Sequence, residues 1–276
     1  MITLYQFGNS VCCQKVRIVL AEKQLAWQGK EVNLFANEQY RPEYLKLNPA
    51  GVVPTLVDGD HVVTESTLIC EYLDALYPAP SLMPANAFER TKAQRWSKMV
   101  DEGLHEGISA ISFCAMFRAR LAAMSEDQRQ GRYRNVGDPK RGDLTRETYE
   151  HGASARQVVY AVHAYGKMFA RLEAVLADAG PWIMGDQLTL ADIALMPYLA
   201  RLGFLGLLPV WAAELPQVRG WWTRVQQLPS YVTAICAPMR AAELEEMAHF
   251  GPTIRADLIA VRAELHALAA SVKANG

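Results

Sequence analysis

The chain has 276 residues, half of them hydrophobic (51%), and enough length for one large domain or two modest ones with real cores. Its 28 Lys and Arg nearly balance 29 Asp and Glu, leaving a formal net charge of −1. That balance argues against the clustered basic face of a nucleic-acid binder, so no nucleic-acid partner is expected.

The first eighty residues alternate strand and helix patterns. Ile2–Phe7 alternates and is rich in β-formers, and Val11–Lys23 is helical, with Val16, Val19 and Leu20 on one face. Val32-Asn33-Leu34 reads as a second short strand. A short helix over Pro42–Leu47 ends at Asn48-Pro49-Ala50-Gly51. Thr55-Leu56-Val57, a turn at Asp58-Gly59 and His61–Thr64 form a hairpin pattern. A helix runs from Ser66 to Leu76, and Pro78, Pro80 and Pro84 mark a linker.

Beyond Phe88 the strand signals vanish. Helical patterns cover about 88–122, 152–178, 190–207, 217–228 and 255–273, with a polar, Gly-containing excursion at 125–150. The basic stretch 129–141 inside it is interrupted by Gly131, Gly137, Asp138 and Pro139 and reads as a solvated loop. The pattern is a βαβ–ββα domain followed by an all-helical one. No apolar run approaches the roughly 20 residues of a membrane span, so no membrane partner is expected. The cysteines (Cys12, Cys13, Cys70, Cys114, Cys236) are odd in number and lack framework spacing. Together with the absence of a leader pattern, they point to a reducing, cytoplasmic setting. The six histidines lack ligand spacing, and no metal is expected.

Three short segments carry candidate chemistry. Gly8-Asn9-Ser10-Val11-Cys12-Cys13 joins a strand to a helix start, where unpaired N–H groups and the helix dipole favour an anion such as a thiolate. An Asn or Ser there also serves as an ordinary N-cap, and a first-turn Cys as a small buried hydrophobe. Val53-Pro54 suits an extended backbone. A cis bond there would present the N–H and C=O of Val53 to a peptide-like ligand; an edge-strand proline is the plainer reading. Glu65-Ser66 opens a helix whose start can hold a carboxylate while Glu65 pairs with an amine. Separately, Thr189-x-x-Asp192 is a capping box opening an apolar helix from Leu190.

The order Ser10-x-x-Cys13, Asn48-Pro49, Val53-Pro54-Thr55-Leu56, Asp58-Gly59, Glu65-Ser66, Thr189-Leu190-Ala191-Asp192 resembles the cytosolic glutathione transferase superfamily over nearly the whole chain. The resemblance implies an α/β thioredoxin-like, glutathione-binding domain at 1–80. It implies an all-α domain at 88–276, with the insertion around 125–150, that forms the pocket for an electrophile. It further implies that Val53, ahead of cis Pro54, pairs with the cysteinyl backbone of glutathione, that Glu65 and Ser66 hold its γ-glutamyl end, and that Gln39 matches a zeta-type contact. A homodimer is the family expectation.

Within the superfamily, Ser10 sits where theta-, delta- and zeta-type members carry a thiol-activating serine. Cys12 sits where zeta-type isomerases and reductive dehalogenases carry a cysteine. Val62–Leu73, Lys98–Glu102 and Met124-Ser125-Glu126 resemble the bacterial β-etherases, which cleave β-aryl ethers with glutathione. The active-site loop aligns with theirs in two ways, leaving both Ser10 and Cys12 as catalytic candidates, with a non-catalytic binding protein on the same fold as the remaining alternative. Phe113, Met116 and Phe117 are placed to stack on a small aromatic electrophile, on a stripe that otherwise reads as core.

Overall fold

Alternation in the first strand, β1 (Ile2–Gln6), buries Ile2 and Leu4 and leaves Thr3 and Tyr5 half-exposed. A computed structural model describes residues 1–134 and 139–274, so residues 135–138 of the expected solvated stretch lie outside the described residues. The elements that follow β1 are α1 (Val11–Glu22), β2 (Trp27–Glu31), α2 (Pro42–Leu45), β3 (Thr55–Asp58), β4 (His61–Thr64) and α3 (Ser66–Leu76). The strands form one sheet in the order β2-β1-β3-β4. β1 runs parallel to β2 and antiparallel to β3, and β3 and β4 form the expected hairpin. Helices α1 and α3 pack together. Leu4, Val16, Ile18, Leu20, Leu56, Ile69 and Leu73 are almost fully enclosed, each side chain contributing about 1.5–3 kcal/mol of hydrophobic stabilisation.

The second strand is earlier than the sequence suggests. It occupies Trp27–Glu31, and Leu34 begins a short helical turn that Asn33 caps. β2 is an edge strand whose residues beyond Trp27 are exposed, so its polar composition hid it from a search for apolar runs.

Beyond the linker the chain is helical: α4 (Ala87–Met99), α5 (His105–Ser112), α6 (Arg118–Ala122), α7 (Glu126–Arg134), α8 (Pro139–His151), α9 (Arg156–Ala179), α10 (Leu190–Phe204), α11 (Pro209–Ala212), α12 (Pro216–Gln227), α13 (Pro229–Tyr231), α14 (Ala241–Phe250) and α15 (Arg255–Ala274). The single helix expected over 88–122 is broken. Wide turns replace it at Val100–Leu104, where Gly103 leaves the helical region (φ 171°, ψ −37°), and at Phe113–Phe117. In the described part of the excursion at 125–150, α7 and α8 stand in place of the expected loop. Ser125 and Gln128 cap α7 reciprocally, the Ser125 N–H donating to Gln128 Oε1 (2.9 Å) and the Gln128 N–H to Ser125 Oγ (3.3 Å). No helix among the described residues is long and apolar enough to cross a membrane.

Two compact units result, each assembled from separated stretches. The first comprises Met1–Lys98, Val175–Ala200 and Gly220–Ala241; the second comprises Met99–Ala174, Arg201–Arg219 and the chain from Ala242. In the second, Tyr165 and Phe169 pack on Trp211 with ring centroids 5.6 and 6.1 Å away. Tyr165 donates its hydroxyl to the Leu104 carbonyl.

In the first unit the expected capping box is in place and extended. The fully buried Asp192 carboxylate accepts from the Thr189 N–H (3.0 Å) and hydroxyl (3.0 Å), the Ile183 N–H (2.9 Å) and Trp221 Nε1 (2.9 Å). Asp192→Ala should leave these donors unsatisfied and lower unfolding free energy by about 3 kcal/mol or more in urea titration. A loss below about 1 kcal/mol would show that water or a rearranged loop takes over the carboxylate's role.

Candidate functional site

Strand pairing collects the candidate segments. Tyr5 of β1 faces Thr55 of β3, and Thr55 faces Thr64 of β4. Neighbouring strands lie about 4.8 Å apart, so this row defines one end of the sheet. The Gly8–Ser10 loop follows β1 at that end, Val53-Pro54 precedes β3, and Glu65-Ser66 follows β4. Gln39 lies in the short turn Glu38–Tyr40, beyond the end of β2 that pairs with Gln6. Beneath them Phe7, Cys13, Val32, Tyr44 and Val53 form one buried apolar cluster.

Ser10 caps α1 with an extended backbone (φ −80°, ψ 119°), its Oγ accepting from the Cys13 N–H at 3.3 Å. A hydroxyl carries one donor and two lone pairs, so this cap leaves the O–H proton available to a second partner. The loop approaches the segment after α13 so closely that only glycine fits at position 8. A Cβ there would meet the Pro238 carbonyl oxygen at 2.4 Å. Cys12 is part-exposed, with Sγ 4.0 Å from the hydroxyl of the buried Tyr198. Cys13 is enclosed, and burial pushes its thiol up to about 11, with the Ser10 hydrogen bond and the Arg17 charge opposing the rise.

The Val53–Pro54 peptide is cis. Among the described residues none hydrogen-bonds to the Val53 N–H or C=O. The preceding carbonyl, Val52 O, accepts from the Tyr44 hydroxyl (2.6 Å) and from Asn48 Nδ2 (2.9 Å). Both also reach Thr55 Oγ1, at 2.9 and 3.1 Å. This network pins the segment and leaves Val53's own groups open. Gln39 is buried, and among the described residues its Oε1 has no partner.

Glu65 precedes α3 with φ 65° and ψ 111°, a conformation that is strained for a residue with a side chain. Its side chain is exposed and makes no capping bond, while Ser66 is buried at the helix start. An orphaned amide oxygen, open backbone groups and a strained acidic residue beside a helix N-terminus suit a peptide with a free amino-acid end.

Comparison with known proteins fixes the relationship. The profile of the glutathione S-transferase N-terminal domain matches residues 4–81, and that of the C-terminal domain matches residues 138–229. The tetrachloro-p-hydroquinone reductive dehalogenase of Sphingobium chlorophenolicum is 30% identical over 86% of this chain and 96% of its own. The chain belongs to the glutathione S-transferase family. Protein LigF of a Sphingobium strain is 32% identical over 70% of this chain and 74% of its own. The crystal structure of β-etherase LigF superposes with a TM-score of 0.72 at 28% identity, covering 84% of this chain and 98% of that one. The thioredoxin-like sheet domain and the helical domain are those of this family.

Three further residues of this glutathione S-transferase had escaped attention in the sequence. Arg17 is buried and donates to the Phe7 and Gly8 carbonyls of the Ser10 loop; its signal is a cation on an otherwise apolar helix face. Tyr44 and Tyr198 read as ordinary core aromatics. Phe113, Met116 and Phe117 belong to the second unit, at the wide turn between α5 and α6. The Phe113 and Phe117 rings stack part-exposed at 5.8 Å, and Met116 is buried.

Exposure separates the adjacent cysteines, and burial further suppresses ionisation of Cys13. At pH 8 a thiol titrating near 11 is about one part in a thousand thiolate. Iodoacetamide applied to the native protein should therefore modify Cys12 and spare Cys13, as read by fragment mass spectrometry of the shared peptide. Equal labelling of the two would contradict the enclosed position of Cys13.

Proposed function

We propose that this family member is a glutathione transferase that activates the glutathione thiol beside Ser10 for attack on a hydrophobic aromatic electrophile, with β-aryl ethers as the substrate class. The observation that carries this reading is the shared sheet end. There, the Ser10 loop, the open Val53 backbone groups and the strained Glu65 stand on three strands aligned at Tyr5, Thr55 and Thr64. Val53 pairs with the cysteinyl backbone, Glu65 and Ser66 hold the γ-glutamyl end, and Gln39 Oε1 gains a donor from the tripeptide.

With its lone pair engaged by Cys13 N–H, the Ser10 hydroxyl donates to the sulfur and lowers the energy of the thiolate. A carbon–sulfur bond then forms as the carbon–oxygen bond of the ether breaks, and the leaving group departs as a phenolate. Approximation of the two bound reactants supplies the remaining acceleration. Phe113, Met116 and Phe117, with the two rings stacked on each other, are the residues assigned to bind the aromatic electrophile. The similarity to LigF supports the ether class.

A second reading rests on Cys12, whose part-exposed Sγ lies 4.0 Å from the Tyr198 hydroxyl. In that reading Cys12 takes glutathione from a conjugate by forming a mixed disulfide, in a dehalogenase or a thiol-dependent isomerase. The similarity to the reductive dehalogenase supports it.

Ser10→Ala should lower kcat/KM for phenol release from a β-aryl ether by about 100-fold, and Cys12→Ala should leave it within about twofold. The reverse pattern moves the chemistry to Cys12. Failure of the wild-type protein to bind glutathione by calorimetry would remove both readings.

We also infer a cytoplasmic homodimer, with Val62, Leu68 and Leu76 of the first unit supplying exposed apolar surface for the contact. Sedimentation should return twice the 30.7 kDa chain mass. A single-chain mass at micromolar concentration overturns that inference.

A further inference from the structure

Taking a charge out of water is costly unless an opposite charge meets it. Helix α1 and its C-cap carry three buried cations, Lys15, Arg17 and Lys23, and they are treated differently: Lys15 donates to the Thr67 hydroxyl at 2.7 Å. Lys23 meets the Asp74 carboxylate at 2.7 Å. Arg17, 3% exposed, has only neutral acceptors: the Ala234 carbonyl (2.8 Å), the Gly8 carbonyl (2.8 Å), the Phe7 carbonyl (3.4 Å) and the Gln6 side-chain oxygen. Among the described residues it pairs with no carboxylate. Burial lowers its pKa to about 10, which leaves it charged at neutral pH.

The position of this cation decides what it can serve. The Phe7 carbonyl that accepts from Arg17 also accepts from the Ser10 N–H at 3.1 Å, so the guanidinium is one shared acceptor away from the serine. The Gly8 carbonyl, inside the same loop, takes a second guanidinium bond. The charge reaches the start of α1, where it opposes the rise of the Cys13 thiol. The other titratable groups on the elements around it are Cys12, Cys13, Lys15 and Glu22 on its own helix, Tyr5 and Tyr44 by the sheet, Tyr231 just before the covering turn and Cys236 at its end. The exposed Arg240–Glu31 pair and the distant Lys23–Asp74 pair complete the set, and both of those carboxylates are already matched.

We propose that the missing counter-charge of Arg17 is the thiolate of glutathione bound beside Ser10, making Arg17 a positioning residue that holds the loop and stabilises the anion through it. This rests on the glutathione reading above. A guanidinium used only as a clamp would do the same work with a carboxylate beside it, whereas one that balances a thiolate would not.

Gln6→Glu tests this distinction. It keeps the shape and the hydrogen bond to Arg17, and adds a permanent counter-charge. The pH at which bound glutathione ionises, followed by the ultraviolet absorption of its thiolate, should rise by about one unit. Arg17→Met should raise it by a similar amount, and Arg17→Lys should leave it within about 0.3 unit. Glutathione affinity, measured by calorimetry at a pH below the ionisation, should change less than about threefold in Gln6→Glu. A folded, glutathione-binding Gln6→Glu protein with the wild-type midpoint overturns the proposal and leaves the transferase reading intact. Should Arg17→Met fail to fold, Gln6→Glu decides alone. A wild-type protein that binds no glutathione overturns both.

Discussion

Antiparallel pairing of β3 between β1 and β4 is the constraint on which the site depends. It aligns Tyr5, Thr55 and Thr64, and so brings the Ser10 loop, the Val53–Pro54 peptide and Glu65, which span 55 residues of chain, to one end of the sheet. Slippage by one residue would turn the buried Leu56 outward and displace Val53 from the cluster it shares with Phe7 and Cys13. The same register that builds the core therefore builds the site.

Around that row, buried polar groups set the fine geometry. Tyr44 and Asn48 engage the Val52 carbonyl and Thr55 hydroxyl, orienting the backbone one residue before the position that is left open. Arg17 does the same for the carbonyls of Phe7 and Gly8. Satisfied networks of this sort are stiff in a low-dielectric interior, which favours a preorganised site over one assembled on binding. Ser10 is held by its own cap bond, which leaves its hydroxyl proton available to a further acceptor. Cys12 differs in kind. It carries a thiol rather than a hydroxyl, and its part-exposed sulfur lies beside the Tyr198 hydroxyl.

Much of the fold was legible in the sequence where local patterns and burial agree. β1, α1, the β3–β4 hairpin and α3 emerge from period and turn chemistry, and the Thr189–Asp192 box announces α10. Misreadings occur where solvent or close packing overrides pattern. β2 is polar because it is an edge strand. The helix from Ala87 breaks at Gly103, and the described part of the stretch at 125–150 folds into helices despite its polarity, one of them opened by the Ser125–Gln128 cap.

The sequence by itself determined the family and much of the order of elements, and it named Ser10, Cys12, Val53, Glu65 and Ser66 as candidates, because turns, caps and helix starts are written in adjacent residues. Only the tertiary structure decided which polar groups are buried together. A cation on α1 looks like any surface arginine until the Ala234 carbonyl and the Gly8 loop close over it. Tyr198 is likewise a helix aromatic until its hydroxyl meets a sulfur 186 residues away. Contacts between distant residues leave no local pattern, since what defines them is the exclusion of water by segments that meet only in the folded chain.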